Sequence, residues 1–364
     1  MVSTVSFKRK ALFVPFFALT LGLTACGGTQ TPAPPTNSTT TTTEDGGGKS
    51  VSLTGAGASF PAPLYQRWFS EYNKQNPNVK VSYQSVGSGA GVEQFTQGTV
   101  DFGASDVAMD DEEIAAVKQG VALLPMTAGS IVLAYNLPDV TELKLSRQVY
   151  VDILMGEITK WNDPAIAKIN PDATLPDTEI TVVYRSDGSG TTGVFTKHLS
   201  AVSPEWADKI GDGKTVEWAT GVGAKGNEGV TAQILQTEGS LGYVEYGYAK
   251  QQEMTSATLE NKAGEYVAPS GETAASALSA VALPENLRAF LADPEGKDSY
   301  PIVTYTWLLA YQNYDDPDKL KALKEVVNWS LTDGQAFAEE LGYIPLPATV
   351  VEKVQTKLET IQSK

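Results

Sequence analysis

The chain has one cysteine, Cys26, and one histidine, His198, among 364 residues. A single cysteine excludes an intrachain disulfide, and a zinc or iron–sulfur site would need other ligands. A single histidine leaves no His/Asp cluster for a metal phosphatase and at most one imidazole base for a serine hydrolase, whose G-x-S-x-G elbow is absent. Placed in a helix-compatible run, His198 reads as a helix-surface residue. Past residue 25, no charge-free apolar run approaches the roughly 20 residues of a spanning helix, so the body reads as soluble. Basic residues are also scarce: 27 Lys and Arg face 43 Asp and Glu. So acidic a chain is a poor partner for nucleic acid.

The amino terminus carries an export signal. Lys8-Arg9-Lys10 precedes an apolar Ala11–Leu23 segment too short and wrongly flanked to span a membrane. Leu23-Thr24-Ala25-Cys26 looks like a bacterial lipobox, cleaved before Cys26 with lipid added to its sulfur. The alternative, an ordinary signal with a chance cysteine, has to place the only cysteine of the chain where lipidation needs one. Residues 1–25 are thus expected to be a signal peptide, and 26–49, rich in Thr, Pro, Gly and Ser, a lipidated disordered tether to a membrane. Loss of 1–25 removes three basic residues and no acidic ones, leaving a net charge of −19.

The body alternates strands with helices, which argues for α/β lobes with largely parallel sheets, and its length suggests two lobes. One event recurs: an apolar strand, a Gly/Ser turn, a helix start. It is read at Ser59, Ser88, Asp106 and Ser189. The fullest case is Tyr184-Arg-Ser-Asp-Gly-Ser-Gly-Thr-Thr192, after Ile180–Val183 and before Val194–Leu199. A turn of this kind aims backbone N–H groups and the positive end of a helix at one point. Arg185 adds a planar fork of donors, and Ser189 and Thr191 add hydroxyls. This suits a small tetrahedral anion. Each feature also has a plainer use: helix capping for Ser59, Ser88 and Asp106, and a surface ion pair with Asp187 for Arg185. Gly188–Gly193 formally fits G-x-G-x-x-G, but no acidic residue ends a second strand about 20 residues on, and no Gly-Lys-Ser/Thr follows these glycines. Asp110–Glu113 is acidic enough to open a helix and is assigned no ligand. Long strands are expected over Leu123–Tyr135, interrupted at Pro125 and Gly129, and over Pro301–Ala310; both are candidates to cross between lobes. Residues 250–300 carry no clear pattern.

Four blocks in this order, Thr54–Pro63, Val100–Asp106, Arg185-x-Asp-Gly-Ser-Gly-Thr191 and Gly242-Tyr-Val-Glu-Tyr246, resemble the phosphate-binding protein of the bacterial phosphate-specific ABC transporter. The resemblance covers Val51–Lys364. It implies a two-lobed α/β periplasmic-binding-protein fold of the crossed-over type, with lobe I built from 50–128 and 304–364, lobe II from 129–303, and hinges near Gly129 and Val303. It implies inorganic phosphate as ligand, a membrane permease and ATPase complex as partners, a monomeric receptor and no cofactor. Its phosphate contacts fall on Ser59, Phe60 (backbone N–H), Ser88, Asp106, Arg185, Ser189, Gly190 and Thr191, with Gly87 and Asp187 in support. Ser59 stands where the family often has Thr, and Gly89-Ala90-Gly91 departs from the usual Ser-Gly-Gly. Asp106 is then the discriminator: phosphate carries a proton to donate to a carboxylate and sulfate does not. The net charge does not forbid this, because repulsion is screened beyond roughly 8–10 Å while contact donors contribute about 1.5–3 kcal/mol each. A receptor for another tetrahedral oxyanion and an exported phosphate-ester hydrolase are the competing functions.

Overall fold

A computed structural model describes residues 50–364 except 280 and 282. The leader 1–25, Cys26 and the tether to residue 49 lie outside the described residues. Strands β1 (Val51–Gly57), β2 (Val79–Ser85), β3 (Phe102–Ser105), β4 (Val121–Tyr135), β5 (Thr181–Arg185), β6 (Val222–Ala224), β7 (Ser240–Glu245) and β8 (Val303–Tyr311) build one sheet. Its order is β2-β1-β3-β8-β4-β7-β5-β6, and the short strand Thr255–Ser256 adds to β4. At one end β1 runs parallel to β2 and β3; at the other, β5 runs parallel to β6 and β7. The middle is antiparallel. β4 pairs with β8 from Val121 to Ser130 and with β7 from Ile131 to Tyr135, so this one strand ties the two parallel groups together.

β4 and β8 are long because their side chains bury on both faces: all nine β8 residues are buried, and every β4 residue after Val121. Such strands read as unbroken apolar runs rather than alternations. Gly129 does not interrupt β4. Pro125 leaves a mark only as a register shift, where Thr306 faces Thr127 and Trp307 faces Pro125. Proline has no N–H for the ladder, and the pairing skips Met126.

Four helices leave the ends of the parallel strands: α1 (Ala62–Gln75) after β1, α2 (Ser88–Thr96) after β2, then, beyond the short α3 (Asp111–Ala116), α4 (Gly190–Val202) after β5 and α5 (Gly226–Gln236) after β6. Their N-termini gather at the carboxyl ends of the strands, where open α/β sheets take ligands. Trp68, Phe69 and Tyr72 form the buried stripe of α1.

Three expectations need correction. Ser59 does not cap α1, which begins after Pro61 with no side-chain cap; the Ser59 hydroxyl is drawn across the cleft to Asn227 instead. Asp106 starts no helix. Asp110 caps α3, forming a reciprocal capping box with Glu113. His198 is not on a helix surface: it is fully buried, between the Tyr150 hydroxyl at 2.8 Å and the Ala292 carbonyl at 2.7 Å. The patternless region holds a helix, Gly271–Ser279, built of small residues without a broad apolar stripe.

Candidate oxyanion-binding site

The turn after β5 is held from several sides. Asp187 takes both Nε and Nη2 of Arg185, at 2.7 and 2.6 Å, and also accepts the Gly226 N–H at 3.1 Å. The remaining guanidinium nitrogen, Nη1, donates to Thr191 Oγ1 at 3.3 Å. Burial would lower the pKa of Arg185, but Asp187 outweighs it and raises that pKa. Burial likewise pushes Asp187 up and the guanidinium pulls it further down, so both groups are charged at neutral pH. Ser189 caps α4 by accepting the Thr192 N–H at 3.0 Å, and its own N–H is fixed by the Lys214 carbonyl at 2.8 Å. Gly193 N–H returns to the Ser189 carbonyl. The Gly190 and Thr191 amides, in the first turn, have no intrahelical acceptor and point out of the helix end.

Asp106 comes from the other side of the cleft. It follows β3 and is 1% exposed. Its N–H donates to Ser88 Oγ at 3.2 Å, Thr306 Oγ1 donates to its Oδ1 at 2.9 Å, and Thr191 Oγ1 donates to its Oδ2 at 3.5 Å. Burial raises its carboxyl to about 7 against the lowering effects of the Thr306 hydrogen bond and the Arg185 charge. A Cβ on Gly190 would lie 2.3 Å from Ser88 Oγ and 2.8 Å from Asp106 Oδ2, so only glycine lets α4 approach this closely. Gly87, with φ 92°, packs its Cα against Asp187, where a Cβ would fall 2.3 Å from Oδ2. Gly89 N–H donates to the Gly188 carbonyl at 2.8 Å, joining the two glycine turns.

The Ser59–Phe60 turn is clamped through its carbonyls, Ser59 by the Tyr248 hydroxyl and Phe60 by the Tyr343 hydroxyl, both at 2.7 Å. Ser59 Oγ accepts from the Asn227 backbone at 3.0 Å and from its side chain at 2.9 Å. The structure therefore gathers Ser59, Phe60, Ser88, Asp106, Arg185, Ser189, Gly190 and Thr191 around one point, with Gly87 and Asp187 immediately behind. Inward-facing groups are donors, except for one carboxyl. That arrangement fits a tetrahedral oxyanion that itself carries a proton.

Sequence reasoning missed Asn227, Thr306, Tyr243 and Glu245. Tyr243 is bonded to the Arg185 N–H at 3.1 Å and to the Thr192 hydroxyl at 2.6 Å. Glu245 is fully buried; burial drives its pKa well above the usual carboxyl range, and its Oε1 accepts the Gly247 N–H at 2.8 Å. Asn227 had a findable signal, since Val222–Ala224 followed by Gly226 repeats the strand–glycine–helix event.

A model described as a PBP superfamily domain matches residues 32–333. The phosphate-binding protein PstS of Pasteurella multocida is 46% identical over 313 residues, covering 85% of this chain and 90% of that protein. PstS of Haemophilus influenzae is 42% identical over 313 residues, 85% and 93% of the two chains. A solved high-affinity periplasmic phosphate-binding protein with bound phosphate superposes with a TM-score of 0.69 at 21% identity, over 84% of this chain and 93% of that one, a likeness that carries the fold. The fold is the two-lobed periplasmic-binding-protein fold expected above. With the starts of α2 and α4 meeting at the buried Asp106 carboxyl, the Ser59 turn and Thr191 joined through Asn227 of α5, and relatives of this identity along most of its length, the chain belongs to the PstS family of the PBP superfamily.

Proposed function

We propose that this chain captures inorganic phosphate outside the cytoplasm and delivers it to an ABC importer. It is a binding protein, not an enzyme. The observation that carries the choice of ligand is Asp106: a buried carboxyl among donors, 2.9 Å from Thr306 Oγ1 and 3.5 Å from Thr191 Oγ1. An ionised carboxyl there repels a fully deprotonated anion and accepts the proton that phosphate still bears. Ser59, Phe60, Ser88, Asp106, Arg185, Ser189, Gly190 and Thr191 would touch the ligand, with Gly87 and Asp187 behind them.

The lobes would be 50–128 with 304–364, and 129–303. Two observations support this division: β4 changes partner between Ser130 and Ile131, and Val303 faces Ser130 at the start of β8. Hinges near Gly129 and Val303 would open the cleft, and a permease with its ATPase would read the closed, loaded monomer. Cys26 would carry the lipid that tethers the body to a membrane; the lipobox and the composition of 26–49 support that placement. Among the described residues, no helix is long and apolar enough to cross a membrane.

Calorimetry tests the ligand. At mildly alkaline pH, ligand-stripped protein titrated with phosphate should bind at micromolar affinity or tighter, about −8 kcal/mol or better, and sulfate should give no heat. Asp106→Asn should narrow that difference. Sulfate binding equal to phosphate in the unsubstituted protein would overturn the role of Asp106 and leave a general oxyanion receptor.

A further inference from the structure

Asn227 lies at the second position of α5, fully buried, and no ligand role attaches to it in the reading above. Its side-chain amide has a fixed orientation. Oδ1 accepts the Glu245 backbone N–H at 2.9 Å, so the NH₂ group must face the other way. That NH₂ donates to two hydroxyls, Ser59 Oγ at 2.9 Å and Thr191 Oγ1 at 3.2 Å. The Asn227 backbone N–H, an otherwise unpaired first-turn donor, adds a second bond to Ser59 Oγ at 3.0 Å.

A hydroxyl has two acceptor sites and one proton. Both acceptor sites of Ser59 Oγ are taken by Asn227. Both of Thr191 Oγ1 are taken, one by Asn227 and the other by Arg185 Nη1 at 3.3 Å. Each hydroxyl is left with only its proton to offer, and Thr191 turns its proton towards Asp106 Oδ2 at 3.5 Å, a long contact that a ligand oxygen would replace. Ser59 follows β1 and Thr191 opens α4, so a single amide sets hydroxyls on both faces of the cleft.

We propose that Asn227 is a positioning residue that fixes the proton direction of Ser59 and Thr191, making both obligate donors to ligand oxygens that bear no proton. This rests on the phosphate reading and deepens it. With both hydroxyls committed as donors, Asp106 is the acceptor left for a protonated oxygen, and the site selects for where the ligand's proton sits as well as for its shape. Because the Ser59 contacts span the cleft, they form only when the two sides meet, so the hydroxyl is set as the site closes.

The test is calorimetry with phosphate on the full chain, as coupled substitutions. Asn227→Ala should weaken phosphate about tenfold or more, as the loss of aligned donors predicts. In a Ser59→Ala, Thr191→Val background the same substitution should cost less than about threefold, because both of its target hydroxyls are gone; in a Ser88→Ala background it should keep its full effect, because Asn227 does not touch Ser88. Asn227→Ser, whose hydroxyl is too short to serve both Ser59 and Thr191, carries the same expectations should the alanine variant fail to fold. An equal effect in all backgrounds would mark Asn227 as a packing residue and overturn the proposal while leaving phosphate binding intact. No phosphate heat in the unsubstituted chain would overturn the phosphate reading itself, and the proposal with it.

Discussion

Thr306 donates its hydroxyl proton to Asp106 Oδ1 at 2.9 Å, from 200 residues further along the chain. The bond occupies one carboxyl oxygen and leaves Oδ2 beside Thr191 and Gly190. It also holds down a pKa that burial raises, the balance lying at about 7. The sign of the consequence is fixed: above about 7 Asp106 is ionised and repels sulfate, and below it the carboxyl is protonated and becomes a donor that sulfate can use. Sulfate binding should therefore be undetectable under mildly alkaline conditions and emerge as pH falls through neutrality, with proton uptake. Thr306→Val removes a lowering influence, so the pH at which sulfate begins to bind should rise. Calorimetry in two buffers of different ionisation enthalpy reads both effects. Sulfate affinity that does not change with pH would refute the assignment.

The Arg185–Asp187 pair sets up two opposing effects on the ligand. Asp187 aligns the guanidinium through two short bonds and also repels the anion that Arg185 attracts. Asp187→Asn keeps one acceptor for Arg185 and removes the repulsion. Phosphate affinity should change by less than about threefold, while stability without ligand falls by about 2 kcal/mol, less than for a fully buried pair because the Asp187 side chain is 11% exposed. Denaturant titration with and without phosphate measures both quantities. A large affinity loss at unchanged stability would show that alignment outweighs repulsion.

Legibility in the sequence followed the range of the interactions. The Arg185–Asp187 ion pair and the helix start at Ser189 lie within seven residues and could be read from the local pattern. Strands β4 and β8 announced themselves as long apolar runs. Ser59 and Asp106 have the residue types of caps, yet tertiary partners claim them: Asn227 holds the serine, while Ser88 and Thr306 hold the aspartate. Nothing local to Thr306 marks it, since it sits in a buried strand among Tyr305, Trp307 and Leu308. His198 is buried by the Ala292 segment, 94 residues away, and no helical periodicity encodes that.

Lys214 joins the turn after β5 to α3. Its carbonyl fixes the Ser189 N–H, and its ammonium pairs with Glu113 on α3 at 2.5 Å. Both side chains line a cavity of about 230 Å³ that also borders Asp106 and Gly193. Lys214→Ala keeps the carbonyl and deletes the pair with Glu113. Both partners are partly exposed, so the pair contributes about 0.2–1 kcal/mol, and phosphate should dissociate up to about fivefold faster with little change in association. The difference should shrink at high salt. Stopped-flow release of phosphate at two ionic strengths would show it; an unchanged off-rate would mean that closure does not depend on this contact.

His198 predicts an acid-sensitive term in stability. The Ala292 carbonyl can only accept, so Nδ1 carries the proton and Nε2 accepts from the Tyr150 hydroxyl. Burial lowers the imidazole pKa from 6.5 to about 4. An unfolded chain therefore takes up a proton that the folded one refuses, and this contribution, whole above 6.5, is lost as pH falls towards 4. The loss is on the order of 3 kcal/mol for a fully buried group. Asp106 works in the opposite direction over part of the same range. Its raised pKa adds stability as pH falls from about 7 towards 3.8 and can mask the histidine in a single melting curve. Comparison with His198→Asn separates the two, because Asp106 is common to both proteins. The variant should be less stable near neutrality, and the difference between the curves should close as pH falls from 6.5 to 4. A pH-independent difference would mean that His198 contributes packing alone.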